Sequence, residues 1–421
     1  MRWTKYLIVL FSICLVFSCS KKTSYFYSSI NSVEELTLRG AKNDSLKVYY
    51  NGSNEIENYI PDTLQPLLHK KKIIKMVIHF MYDSLGQHNF EKEEGKKFVK
   101  NLVSHANKRL RENQKMNLPL GNDTPVLPLG YQYKIVPGSD QKGDDGYYFH
   151  NDEELYWFCN KGKNRNNYSR TVIKKYNVGG DSLLNVFIMP HHPDSIASKS
   201  YKAHGTGIAL GNSLKMSGLY HRKKEGFWAF ASLLNHEVGH ILGLKHAWIA
   251  NDGCDDTPKN PNCWDQFGPP PCDKGASNNL MDYNNSQGSI TPCQIGIMHK
   301  YMTKYNARQR KFVRPDWCKL DTSQNIIIDK DTHWKGEKDL TNDVVVRAGN
   351  TLRISSRVSF AEQSKLSVDP GARLILDNCW LHNSCSSNWK GIELIRTEKD
   401  SSIIEYLGKV RIENVQAQEE I

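Results

Sequence analysis

The sequence predicts an α+β unit built on a mixed sheet, followed by an all-β module of the parallel β-helix type. Three observations predict it. Strand-like and helix-like apolar patterns alternate between residues 73 and 242, glycine-centred β-rich segments recur after residue 320, and 421 residues exceed one domain of about 100 to 200 residues. Hydrophobic residues at 39% and charged residues at 24% exclude a disordered or collagen-like chain. The net charge of +11 is scattered along the sequence, which speaks against a nucleic-acid partner, since such binders concentrate charge on one face or carry a reader motif.

Taken in order, Arg2 and Lys5 precede an apolar run from Tyr6 to Phe17. That is the layout of a secretory signal, and the run is too short for a comfortable membrane span. Val16-Phe17-Ser18-Cys19 resembles the lipobox of bacterial lipoproteins. The resemblance implies cleavage before Cys19, acylation of its thiol, and an exported protein tethered at the outer membrane or cell surface, or secreted if the lipid is not added. Residues 19–72 are rich in Ser, Lys, Asn and Tyr and read as a tether or pro-segment. Ile73 to Tyr82 reads as a strand closed by the turn residues Asp83, Ser84 and Gly86. Phe98, Val99, Leu102, Val103, Ala106 and Leu110 fall at helical spacing. Tyr131 to Val136, Val172 to Tyr176 and Leu183 to Met189 read as further strands, and Phe227 to Leu242 as a second long helix.

The last hundred residues change character. Val346 to Ile354 and Val368 to Leu376 share a Val-x-x-Gly-x-x-Leu pattern centred on Gly349 and Gly371, and Trp334-Lys-Gly336 recurs as Trp389-Lys-Gly391. A coil of a parallel β-helix buries its inward side chains only by stacking on the next coil, and a glycine turn with β-rich flanks suits that need. A small β-sandwich is the competing fold. The expected organisation is therefore 1–18 signal, 19–72 tether or pro-segment, 73–320 the α+β domain and 321–421 the β-helix-like module.

The chemistry is concentrated in His236-Glu-Val-Gly-His-Ile-Leu-Gly-Leu-Lys-His246. His236 and His240 lie one helical turn apart and present two imidazoles on one face. Gly243 permits a sharp turn that brings His246 back as a third ligand. Three neutral imidazoles on Zn2+ leave an open position, as a catalytic site requires. Glu237, beside the first ligand, is placed to act as general base towards a metal-activated water.

These eleven residues resemble the zinc-binding consensus of the metzincin metallopeptidases. The resemblance implies an α+β metzincin-type domain with an active-site helix and a Met-turn, for which Ser277-Asn-Asn-Leu-Met-Asp-Tyr283 supplies Met281. Tyr283 matches the position of a tyrosine that steadies the oxyanion in several members. Asp256-Thr257-Pro258 followed by Asn279-Leu-Met281-Asp-Tyr283 is similar to the pappalysin-like (cytophagalysin-type) branch. Cys254, Cys263, Cys272 and Cys293 do not have the spacing of a zinc ribbon. In an exported chain they read as two disulfides, with three pairings open. The resemblance implies Cys254 with Cys272 and Cys263 with Cys293. It also implies a calcium site among Asp252, Asp255, Asp256 and Thr257, whose hard oxygens admit that ion. Cys159, Cys318, Cys379 and Cys385 have no assignable partners. The expected function is a zinc metalloendopeptidase acting on extracellular proteins. The alternative is a surface adhesin or glycan-binding protein whose zinc domain is non-catalytic and whose C-terminal module makes the contact.

Overall fold

The computed structural model describes residues 56–65, 68, 71–249, 251–265 and 268–416, and the backbone of Phe26–Ile30. The expected signal segment and Cys19 lie outside the described residues, as does most of the expected tether.

The strands are β1 (Phe26–Ile30), β2 (Lys72–Tyr82), β3 (Tyr131–Ile135), β4 (Tyr147–Asn151), β5 (Leu184–Met189), β6 (Thr206–Ala209), β7 (Ser213–Ser217) and β8 (Val313–Arg314). Between them lie helices α1 (Lys92–Arg111), α2 (Thr171–Tyr176), α3 (Pro193–Ala197), α4 (Ala231–Ile241) and α5 (Pro292–Thr303). β2 is the spine of a mixed sheet ordered β3-β2-β5-β7-β6. Its first half pairs β3 and its second half β4, both parallel, while β8 joins it antiparallel. Every residue of β2 except Lys75 is buried, as a central strand covered on both faces requires. α1 and α4 pack on one face with Phe80, Val99, Leu102, Leu234 and Val238. A smaller cluster containing Met81, Phe158, Val172, Ile173 and Phe187 covers the other.

The strand expected at Val172 to Tyr176 is a helix, α2. Val172, Ile173 and Tyr176 pack in one cluster at i, i+1 and i+4, a helical face; in a strand Val172 and Ile173 would point to opposite sides. So short an apolar run does not choose between the two.

Strands β9 (Ile326–Ile328), β10 (Thr332–Trp334), β11 (Lys338–Leu340), β12 (Val344–Val346), β13 (Thr351–Ile354), β14 (Arg357–Phe360), β15 (Lys365–Val368), β16 (Arg373–His382), β17 (Gly391–Arg396) and β18 (Ile403–Ile412) pair in parallel through the C-terminal region. Val344 pairs with Leu366 and Leu366 with Ile392 on one sheet, while Leu352 pairs with Leu374 and Leu374 with Ile404 on the other. All but Ile404 of these six are fully buried. Gly349 and Gly371 both have positive φ, and the Gly349 amide donates to the Gly371 carbonyl at 3.0 Å, so the glycine spacing marks stacked turns. Two pieces of the expected tether are built into the fold. β1 pairs antiparallel with β17, and Asp62 forms an ion pair at 2.5 Å with the buried Lys338.

The two cores meet across buried charges. Lys72 reaches Asp339 at 2.7 Å, Arg357 reaches both Glu337 (3.0 Å) and Asp339 (3.1 Å), and His299 of α5 contacts Glu337 at 2.7 Å. The disulfide Cys318–Cys385, which the sequence left unassigned, staples the same junction.

His79 of β2 and His150 of β4 form a second buried polar chain. Asn185 Nδ2 donates to the carbonyls of Val178 and Leu183, so its Oδ1 is the acceptor for His79 Nε2–H at 2.8 Å. His79 Nδ1 then accepts from His150 Nε2 at 3.0 Å. Burial pushes His79 down to about 3 and His150 down to about 4. The unfolded chain therefore takes up protons below pH 6.5 that the fold refuses, and this stability is lost as pH falls from about 6.5 towards 4. Melting temperature should drop on the order of several degrees across that window. The drop should be smaller in His150→Gln, which keeps an N–H donor but does not titrate; parallel curves for the two proteins would refute this reading.

Candidate metal centre

α4 begins after the 3-10 turn Phe227–Phe230, so the expected helix from Phe227 is in two parts. Leu234, Val238 and Ile241 face the core, which orients His236 and His240 towards the opposite, cleft side. The helix stops where predicted. Gly243 adopts φ +93°, and a Cβ there would stand 2.1 Å from Tyr301 Cε2, so both its conformation and its neighbour demand glycine. The reversed chain returns His246, whose ring stacks on Trp248 with centroids 3.9 Å apart.

The three imidazoles converge. His240 Nε2 lies 3.1 Å from His236 Nε2 and 3.1 Å from His246 Nε2. His236 Nδ1 and His240 Nδ1 each donate to a backbone carbonyl, of Leu280 and Leu244, both at 2.8 Å. Those bonds assign the proton to Nδ1 and turn the Nε2 lone pairs inward. Tetrahedral zinc with bonds of about 2.0–2.1 Å separates its nitrogen ligands by roughly 3.4 Å, close to the spacing found. Burial, with the neighbouring imidazoles, holds His236 down to about 3 and His246 down to about 4, so the set is neutral and ready to ligate.

Glu237 is buried at the cleft and its burial raises it to about 7, against the opposing pull of the Ala209 amide. Room for it depends on Gly207 in β6, where a Cβ would meet Glu237 Cγ at 2.6 Å. Met281 lies fully buried beneath α4, with its Sδ 2.6 Å from where a Cβ on Gly239 would be. Gly239→Ala should therefore cost about 1–3 kcal/mol and lower metal affinity by displacing Met281 or the helix; an unchanged melting curve and zinc affinity would show that this contact does not matter.

Tyr283 stands at the cleft mouth, 49% exposed, with its ring centroid 5.0 Å from that of His246. Asn262 Oδ1 accepts from its amide at 2.9 Å and places it. Burial, reinforced by the charge of Glu237, raises its hydroxyl above the usual range, so it stays protonated as a donor.

The expected disulfide pairing is corrected. The bonds are Cys254–Cys293 and Cys263–Cys272. The reason lies in Asp256, whose carboxylate accepts from the hydroxyl of Thr291, the N-cap of α5, at 2.7 Å and from the Cys293 amide at 3.0 Å, seating Cys254 against Cys293. Cys263 and Cys272 then close a local loop. Of the residues expected to hold calcium, Asp252 accepts from the Cys254 amide and the Thr257 hydroxyl, so with Asp256 it orders the loop. Asp255 is exposed.

A cleft of about 580 Å³ runs beside His236, Glu237 and Tyr283, with Trp228 and Trp264 on its walls. The sequence did not single out Gln287, Trp248, Gly207 or Arg109. Gln287 Nε2 donates to the carbonyls of Leu280 (3.2 Å) and Asp282 (2.6 Å) and so braces the backbone that orients His236. Gly207, Gln287 and Arg109 are brought to His236 and Glu237 from distant parts of the chain, whereas Trp248 lies only two residues after His246 and stacks on it.

His236, His240 and His246 thus form a three-histidine group that could hold a metal ion, with the Glu237 carboxylate adjoining it. No protein family and no curated protein was found to match the chain. Solved structures similar to it include promirolysin of Tannerella forsythia in a mutant form, at 16% identity and a TM-score of 0.41 over 59% of this chain and 88% of that one. Mirolysin in complex with compound 9 is similar at 16% identity and a TM-score of 0.39, over 58% of this chain and 96% of that one.

Proposed function

We propose that the chain is a zinc metalloendopeptidase of the metzincin type, pappalysin-like, with His236, His240 and His246 as ligands. The observation that carries the reading is the convergence of three Nε2 atoms at 3.1 Å spacings beside a buried glutamate and an open cleft. Zinc bound there supplies a Lewis acid that acidifies water and polarises a peptide carbonyl. Glu237 accepts the proton of the attacking water and returns it to the leaving amine, a task suited to a carboxyl raised to about 7. The Tyr283 hydroxyl donates to the carbonyl oxygen as negative charge develops on it. β6 is the last strand of the sheet among the described residues, so its outer edge can pair with an extended peptide and hold it across Glu237.

The stacked parallel strands from β9 to β18 support the further proposal of a parallel β-helix, with β1 covering β17. Export and a lipid tether on Cys19 complete the proposal, supported by the lipobox-like sequence. Incubating the purified zinc-loaded chain with an unfolded protein and sequencing the products tests the function. Internal peptide-bond cleavage is expected; intact substrate after prolonged incubation would overturn it.

A further inference from the structure

The cleft beside Glu237 continues into a second hollow of about 770 Å³, with Asn160, Lys161, Gly205 and Thr206 common to both. Together they form one trough, and its charges are unbalanced. Lys161, Lys163 and Lys202 line it, and Arg109 reaches the wall of the first cleft from the last turn of α1. Of the carboxylates along the trough, Glu237 is assigned to catalysis and Glu225 pairs with Arg222 at 2.6 Å, which leaves the exposed Asp194 against four cations. Among the described residues none of the four cations has a carboxylate within ion-pair distance.

Arg109 is the most telling of them. It is half buried, and its Nη1 is shared between two uncharged acceptors, the Ser232 hydroxyl and, at 3.3 Å, the Gln287 carbonyl. Ser232 lies one helical turn before His236, and Gln287 Nε2 lies 3.4 Å from His236 Nδ1, so the guanidinium stands directly behind the first metal ligand. A partly desolvated guanidinium without a counter-ion is costly, and its planar fork matches a carboxylate bidentately. Trp228 and Trp264, both more than half exposed on the same walls, provide apolar surface for the stem of such a side chain.

We infer that this site selects acidic peptide segments: Arg109 pairs with an Asp or Glu side chain next to the scissile bond, and Lys161, Lys163 and Lys202 receive further carboxylates along the trough. The inference rests on the peptidase reading and names its substrate class. Two measurements keep them apart. The first is the affinity of the zinc-loaded Glu237→Ala chain for a fluorescent acidic hexapeptide and for its Gln/Asn analogue. The acidic peptide should bind at least about tenfold tighter at low salt, by the worth of one charge-assisted contact. Arg109→Gln and the exposed Lys161→Glu should each remove much of that preference, and Arg109→Lys should restore part of it. The second is cleavage of a randomised peptide library by the unmutated chain, in which Asp or Glu should be enriched beside the cut. Equal affinity for the two peptides, or cleavage without acidic enrichment, overturns the selectivity alone. Tight acidic binding with no cleavage of any library member overturns the peptidase reading and keeps the selectivity of the trough.

Discussion

Glu237→Gln should lower kcat/KM on an unfolded protein substrate by about 10²–10⁴-fold, the usual worth of a positioned general acid–base group. Zinc affinity should hardly change, because the three nitrogens that converge at 3.1 Å spacings belong to His236, His240 and His246, and Glu237 is not among them. Glutamine fits the space that Gly207 leaves but accepts no proton from water. Burial holds the native carboxyl at about 7, so the proton it gains from water is held near neutrality and can pass to the leaving amine. The measurement is steady-state cleavage together with metal content. A variant that loses activity in proportion to its zinc would point to a structural role, and one that retains full activity would remove Glu237 from the mechanism.

Asp339→Ala should be the most destabilising single truncation at the junction of the two cores. Its carboxylate meets Lys72 at 2.7 Å and Arg357 at 3.1 Å, with the side chains of all three almost inaccessible to water. Removing it leaves two buried cations with less compensation, which costs about 3–5 kcal/mol where such pairs have been broken. The exposed pair Arg347–Asp369 at 3.1 Å is the control, and Asp369→Ala should shift the thermal midpoint little. Because Lys72 begins β2 and His299 lies on α5, loosening this network should also make the C-terminal region sensitive to proteases before the rest of the chain. Equal midpoints for the two variants would show that the junction charges do not hold the cores together.

What could be read from the sequence was local. The helix carrying His236 and His240, the glycine stop at Gly243 and the return of His246 all follow from spacing over eleven residues, and the structure brings the three rings together. The strand at β2 and the helix at α1 were legible because their apolar periodicity is long. Short segments were not. α2 spans only six residues, and β6 and β7 are brief, with polar residues such as Lys215 buried inside the sheet. Cysteine pairing was illegible for a different reason: Asp256 holds the Thr291 hydroxyl, 35 residues later, and the Cys293 amide at the start of α5, a contact with no trace in the cysteine intervals. Arg109 and Gln287 matter through proximity to His236, which only the folded chain creates.

The central claim is that peptide hydrolysis depends on an ion held by His236, His240 and His246. Titrating the metal-free chain with zinc while following cleavage of an unfolded substrate tests it most directly. Cleavage should be absent at the start, rise with bound zinc and saturate near about one ion per chain, and His246→Ala should shift the whole curve to higher zinc. Cleavage that is already full before zinc is added, or that saturates identically in His246→Ala, would contradict it.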